Sequence, residues 1–341
     1  MMPRRILAID GGGIKGILPA AFLATIEEAS GKRLLNHFDL IAGTSTGGII
    51  ALGLGLGLPA RAIVDFYLDA GPRIFDQELP PARSLLSSIR AAARWARRTA
   101  RHVITSKYEP KELRSALENA FGDRLLGDSG TRLVIPAFDR NRRELHVFKT
   151  AHHERFAVDW KERAVDVALG TAAAPTFLPG HSLTSGISLV DGGVWANNPV
   201  GLAAVEAVGV LDWPREELYV LSLGCCEDAF GIPERTGVAD CLKIIEMLML
   251  GQSRGALGTA KLLTGHMQSR HRVFRYSHVA PAGVFGLDTV DQIASLRGVG
   301  EALAREALPE VGPVFLAGER DPFVPVYGAV RQGGTQRPEA T

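Results

Sequence analysis

Two short runs of this chain, Arg5-Ile-Leu-Ala-Ile9 and Phe38-Asp-Leu-Ile-Ala42, are apolar at adjacent rather than alternate positions, and glycines follow each closely. A strand with one face in water alternates, whereas a strand apolar on both faces is covered on both, as in a parallel sheet between helices. Runs of similar character recur at 132–138, 187–190 and 218–223, and residues 146–149 extend or flank the first of these. Helical stretches separate them at 17–29, from Thr46 onward, at 165–173 up to Pro175, and at 200–208. This alternation predicts an α/β fold of three layers, a mostly parallel central sheet with helices on both faces. Residues 240–263 read as outer helices with two short glycine breaks, so the C-terminal portion is expected to be helical. No repeat, low-complexity tract or linker divides the 341 residues. One domain is expected over 1–330, followed by a polar tail at 331–341 with nothing to pack.

Composition narrows the function classes. A formal net charge of +1 gives no global attraction to DNA or RNA. Three cysteines, two of them the adjacent Cys225 and Cys226, make no disulfide framework and fit a reducing compartment. The N-terminal residues before Asp10 lack the long apolar stretch of a secretory signal. The apolar run after Ser45 is broken by glycines and closed by Pro59, short of the about 20 residues a membrane span needs. A soluble cytoplasmic protein is expected.

The second apolar strand runs into Gly43-Thr-Ser45-Thr-Gly47, which matches G-x-S-x-G between a strand and a helix. Small neighbours let the chain turn sharply and present the serine at a helix N-terminus, where free N–H groups favour developing negative charge. A tight turn without chemistry satisfies the same pattern. The first strand ends in Asp10-Gly-Gly-Gly-Ile-Lys-Gly16, whose consecutive glycines expose N–H groups as an oxyanion requires. Neighbouring parallel strands end at one edge, which places this loop beside Ser45.

Gly11-x-Gly13-x-x-Gly16 is also a dinucleotide fingerprint, but the acidic residue expected at the end of the second strand is absent, and Asp39 lies at its beginning. The phosphate-binding P-loop fails because Gly16 follows Lys15. For a base, His266, His271 and His278 qualify by chain order, yet none lies in a small-residue loop after an evident strand. Asp191 does, followed by Gly192 and Gly193, although Asp-Gly pairs are most often plain turns.

Taken together, the Asp10–Gly16 loop, the Gly43–Gly47 elbow and Asp191-Gly-Gly193 resemble the patatin-like phospholipases in residues, order and spacing. Ala173-Ala-Pro-Thr-Phe177 and Asn197-Asn-Pro199 agree with that resemblance, which reaches from near the N-terminus to about Leu223. It implies a Ser–Asp dyad without histidine, with Ser45 as nucleophile, Asp191 as base and the amides of Gly11, Gly12 and Gly13 as oxyanion hole. The implied reaction is hydrolysis of phospholipid acyl esters through an acyl-serine, with no metal or cofactor. Lys15 stands where the family often carries arginine, a change of cation for cation. A dinucleotide-binding oxidoreductase and a non-catalytic lipid- or ligand-binding module are the competing readings.

Between Leu79 and Tyr108 there is no acidic residue. Helical spacing puts Arg90, Arg94, Arg97, Arg98 and Arg101 on one face and Leu86, Ile89, Ala93, Ala96, Ala100 and Val103 on the other. Such a face contacts anionic headgroups, captures a phosphate-bearing ligand, or is simply solvated. Overall length and cytoplasmic character resemble the bacterial patatin-like effectors of anti-phage defence. That resemblance implies a cyclic nucleotide activator, a resting state that is off, and peripheral association with the inner face of the membrane when active. The sequence leaves the oligomeric state open, a homo-oligomer included.

Overall fold

The computed structural model describes residues 3–75, 106–229, 241–266, 271–281 and 284–328. The arginine-rich stretch Arg90, Arg94, Arg97, Arg98 and Arg101 and the polar tail lie outside the described residues.

An eight-stranded sheet organises the chain, in the order β5-β6-β3-β2-β1-β7-β8, with β4 paired to β3. Its strands are β1 (Arg4–Ile9), β2 (Leu40–Gly43), β3 (Arg132–Asp139), β4 (Glu144–Lys149), β5 (His181–Ser182), β6 (Ser188–Asp191), β7 (Leu218–Ala229) and β8 (Val273–Pro281). The helices are α1 (Ile17–Ser30), α2 (Thr46–Gly55), α3 (Ala60–Phe75), α4 (Lys111–Phe121), α5 (Ala164–Thr171), α6 (Gly193–Ala196), α7 (Val200–Gly209), α8 (Cys241–Leu263) and α9 (Ile293–Phe315). The run β3-β2-β1-β7-β8 is parallel throughout, while β4, β5 and β6 join in antiparallel sense at the β3 side. The sheet is mostly parallel, as the strand composition predicts.

Consecutive apolar residues in the strands serve two separate cores. Leu7, Ile9, Ile41, Leu133 and Ile135 face a large cluster with α1, α2, α3, α5 and α9. Ile6, Ala8, Leu40, Ala42, Val134 and Val220 face a smaller one built on Val200, Ala203, Ala204 and Ala207 of α7 and Ala260 of α8. These are the two covered faces of a three-layer fold. All ten residues of α2 are buried, so the apolar run after Ser45 is a core helix. Among the described residues no helix is long and apolar enough to cross a membrane.

Residues 241–263 depart from the expected broken helices and form one helix of 23 residues. Each interior glycine costs about 1 kcal/mol of helix propensity, which packing of a helix face outweighs. That packing is close: a Cβ on Gly201 of α7 would stand 3.0 Å from the Ala256 Cα of α8. Strand β8 carries Arg275 and Ser277 among its apolar residues and is not marked by the apolar pattern that reveals β1 and β2.

Register explains why β6 matters. Val134 pairs with Ala42 of β2 and with Lys149 of β4, so β2 and β4 lie on opposite edges of β3. Ala137 pairs with His146 of β4 and with Asp191 of β6, so β6 lies on the same edge as β2. β2 is parallel to β3 and β6 antiparallel, so their C-terminal ends approach head-on across Ile135 and Pro136. Pro136 has no N–H to offer a ladder, and it sits where neither strand pairs.

Candidate active site

Ser45 follows β2 and immediately precedes α2, with φ 55° and ψ −121°. A non-glycine residue held there carries strain of order 1–3 kcal/mol, so the surroundings must fix it. They do so with buried polar contacts. The Ser45 N–H donates to Thr171 Oγ1 at 3.0 Å, and Thr171 Oγ1–H donates to the Pro136 carbonyl at 2.6 Å. The Thr44 hydroxyl donates to the Ala196 carbonyl at 2.5 Å, and the Gly47 N–H returns to the Thr44 carbonyl at 2.8 Å. The Thr46 and Tyr67 hydroxyls bond to each other on the other side of the turn. Gly43 and Gly47 lack side chains because a Cβ on the first would overlap the Gly47 carbonyl, and one on the second the Ile9 carbonyl.

Asp191 is the last residue of β6 and arrives at the same gap from the opposite direction. The sequence places it in a loop at a strand end; the antiparallel direction of its strand is what the structure adds. Its carboxyl is buried, accepts the Gly193 N–H at 2.6 Å and lies beside the Ser45 side chain, which favours its charged form. Burial pushes its pKa up to about 6, against the opposing pull of Ser45 and Gly193. Thr171, at the end of α5, spans the two halves of this arrangement. Its hydroxyl receives the Ser45 N–H, and its carbonyl receives the Gly192 N–H at 3.3 Å.

The Asp10–Gly13 loop lies alongside, since a Cβ on Gly11 would stand 3.2 Å from the Ser45 Cβ. The Gly11 N–H is already engaged by the Asn197 carbonyl at 3.0 Å. Among the described residues, no acceptor takes the Gly12 or Gly13 N–H. Gly13 has φ +58° and its Cβ position is filled by the Leu287 carbonyl, which also accepts the Ile14 N–H at 2.9 Å. Of the three amides expected to serve an oxyanion, Gly11 therefore acts as the hinge to the Asn197 segment, while Gly12 and Gly13 stay available.

The remaining sequence candidates sit elsewhere. His266 Nδ1 accepts the Arg272 and Val273 N–H groups at the start of β8, and His271 stacks on Phe274. That is the sheet edge opposite Ser45, because β8 is parallel to β7 and β7 to β1. His278 pairs with Cys226 in the outermost strand. Asp39, the nearest acid for a dinucleotide ribose, precedes β2, where it binds Arg4 at 3.2 Å and the Arg5 N–H at 2.9 Å. The oxidoreductase reading therefore lacks its acid at the glycine loop.

Thr171 and Asn197 were legible only as neighbours of motifs. Nothing in their local sequence announces a contact to a serine 126 residues away or to Gly11. A hydroxyl poised by a buried carboxylate, beside two unengaged amides, is the set needed to add an alkoxide to a carbonyl and hold the resulting oxyanion.

The chain is similar to known proteins over more than half of its length. The family described as Patatin-like phospholipase matches residues 7–204. A cGAMP-activated phospholipase of Pseudomonas aeruginosa is 34% identical over 234 residues, covering 69% of this chain and 65% of that protein. Patatin-like protein 2 of Arabidopsis thaliana is 32% identical over 268 residues, covering 68% of this chain and 63% of that protein. A cGAMP-activated phospholipase of Escherichia coli is 31% identical, covering 67% of this chain and 64% of that protein. The match thus spans a little under two thirds of the length of each of these relatives.

Proposed function

The chain belongs to the patatin-like phospholipase family, and from that premise we propose that it is a serine lipid acyl hydrolase using Ser45 and Asp191. The observation that carries this reading is the placement of Ser45 and a buried Asp191 together at the head-on junction of β2 and β6, where the Ser45 side chain favours the charged form of the carboxyl. Ser45 Oγ attacks the acyl carbonyl while its proton passes to the Asp191 carboxylate. A carboxyl near pKa 6 is a weak base for an alcohol, so transfer is concerted with attack and with oxyanion formation. The Gly12 and Gly13 amides receive the oxyanion, aided by the N-terminus of α2. The tetrahedral intermediate expels the alcohol, which takes the proton from Asp191, and leaves an acyl-serine. Water, deprotonated by Asp191, then attacks the acyl-serine and releases the fatty acid and free Ser45.

The substrate in this reading is an acyl ester of a membrane phospholipid, met by peripheral association with the bilayer. The activator is a cyclic nucleotide, and this rests on likeness to the two bacterial relatives named as cGAMP-activated phospholipases. Fatty acid release from phospholipid vesicles by the purified full chain, with and without cyclic dinucleotides, tests both parts. Release that requires Ser45 and rises with one nucleotide is expected. No release under any nucleotide overturns the hydrolase, and release of equal rate without nucleotide overturns the activation.

A further inference from the structure

The underside of the Asp10–Gly13 loop is more heavily engineered than an oxyanion loop requires for chain connectivity alone. Asp10 is 5% exposed, and its two carboxylate oxygens accept from Arg275 Nη1 at 2.8 Å and Nη2 at 2.6 Å. Arg275 enters from β8, two strands away from β1, and Nη1 also donates to Ser222 Oγ at 2.9 Å. Glu227 stands 3.5 Å from Nη2. Strand β7, lying between, changes register between Leu223 and Cys226. That irregularity accommodates the guanidinium, because a Cβ on Gly224 would come within 2.7 Å of Arg275 Nη2. The displaced Cys225 fits under the glycine loop, where a Cβ on Gly12 would stand 2.6 Å from its sulfur. Burial works to lower the Arg275 pKa, but the Asp10 charge and its hydrogen bonds outweigh it, so the guanidinium stays protonated.

A buried ion pair gives little net stability, and a methionine and leucine of similar volume would fill the space as well. What a planar two-pronged fork supplies is orientation. With both carboxylate oxygens fixed, rotation about the Asp10 side chain is blocked. The peptides on either side are held too, the preceding one with the Asp10 N–H on the Leu223 carbonyl at 3.0 Å and the following one with the Gly11 N–H on the Asn197 carbonyl at 3.0 Å. Three consecutive glycines have no side chains to fix their own amides, so their direction must be imposed at the ends. Leu287 clamps the far end through Ile14, and Arg275 clamps the near end through Asp10.

We propose that Arg275 is a positioning residue that aims the Gly12 and Gly13 amides at the oxyanion by holding Asp10 in a two-pronged grip. The assignment rests on the serine hydrolase reading. It predicts an effect on the transition state and not on substrate binding, since the ground-state carbonyl makes no full oxyanion contact.

The test uses the purified full chain, a soluble activated ester and a fluorophosphonate that labels the reactive serine. Endpoint labelling counts folded sites; kcat per labelled site reads the aim of the loop. Arg275→Lys keeps the charge and loses the fork, and Asp10→Asn keeps the shape and loses the charge. Both are expected to label to the wild-type endpoint, with kcat per site lowered about 10- to 100-fold and KM within about twofold. Should either fail to fold, Ser222→Ala removes a single bond to Arg275 and is expected to lower kcat about threefold. Unchanged kcat per labelled site in the folded variants, or a loss carried wholly by fewer labelled sites, overturns the assignment. If wild type is not labelled at Ser45 either with or without cyclic dinucleotides, the hydrolase reading fails and the assignment with it. If wild type is labelled and Arg275→Lys matches its kcat, only the assignment fails.

Discussion

Asp10 directly follows a strand and Asp191 closes one, both precede two glycines and both are 5% exposed, but their surroundings differ in one respect. Asp10 is gripped by the Arg275 guanidinium. Among the described residues Asp191 meets no cation, and its partners are the Ser45 side chain and the Gly193 N–H. Burial pushes both carboxyls up; at Asp10 a positive charge pulls against it, and at Asp191 only neutral donors do. The same tripeptide therefore yields a carboxyl paired with a cation, which anchors a loop, and a carboxyl with neutral partners, which can accept a proton. The lesson is that a motif assigns position, and the partner assigns the role.

Replacing each acid by its amide breaks the comparison most strongly. Asp191→Asn removes the proton acceptor and should lower kcat about 10³-fold or more, measured on a soluble ester. Asp10→Asn should lose far less, as the positioning test describes.

Stability should move in opposite directions. Asp191 ionises near pH 6 in the folded chain and near 3.8 when unfolded, so the unfolded state gives up its proton first as pH rises. Stability from this group is therefore lost between those values, and the loss is complete above them. Asp191→Asn should gain on the order of 2–3 kcal/mol at pH 8 and little at pH 4, read by urea unfolding. Asp10→Asn leaves a buried guanidinium with its main partner gone and should lose about 3 kcal/mol at pH 8. Equal signs for the two variants would break the contrast.

Thr171 joins the serine to the aspartate loop, and Thr171→Val leaves the Ser45 N–H and the Pro136 carbonyl without their buried partner. A loss of about 2 kcal/mol in stability, with a lower kcat, is expected from unfolding curves and steady-state rates. The smallest effect belongs to Arg254, 63% exposed, which reaches Glu227 at 3.1 Å beyond the Arg275 grip. Arg254→Ala should change stability by less than about 0.5 kcal/mol and leave kcat as it is, marking where the network ends.

The sequence reads well where a role is contiguous. Gly43 to Gly47, the Asp10 glycines and Asp191-Gly-Gly193 each carry their geometry in a few adjacent residues, and the strands β1 and β2 in their unbroken apolarity. It reads poorly where partners are distant. Arg275 lies 265 residues from Asp10, in a half-buried strand that mixes polar with apolar residues. The antiparallel direction of β6 is set by pairing with β3, which no local pattern encodes. The helix over 241–263 ignores its own glycines because α7 packs against it.

The central claim is that Asp191, with no histidine, takes the Ser45 proton. The pH dependence of fluorophosphonate labelling at Ser45 tests it most directly, since labelling needs the base but no lipid surface. The account predicts a rate that rises with pH through a single ionisation near 6 in wild type, and a low, flat rate in Asp191→Asn. Wild-type labelling independent of pH across that range, or Asp191→Asn labelling at the wild-type rate, would contradict it.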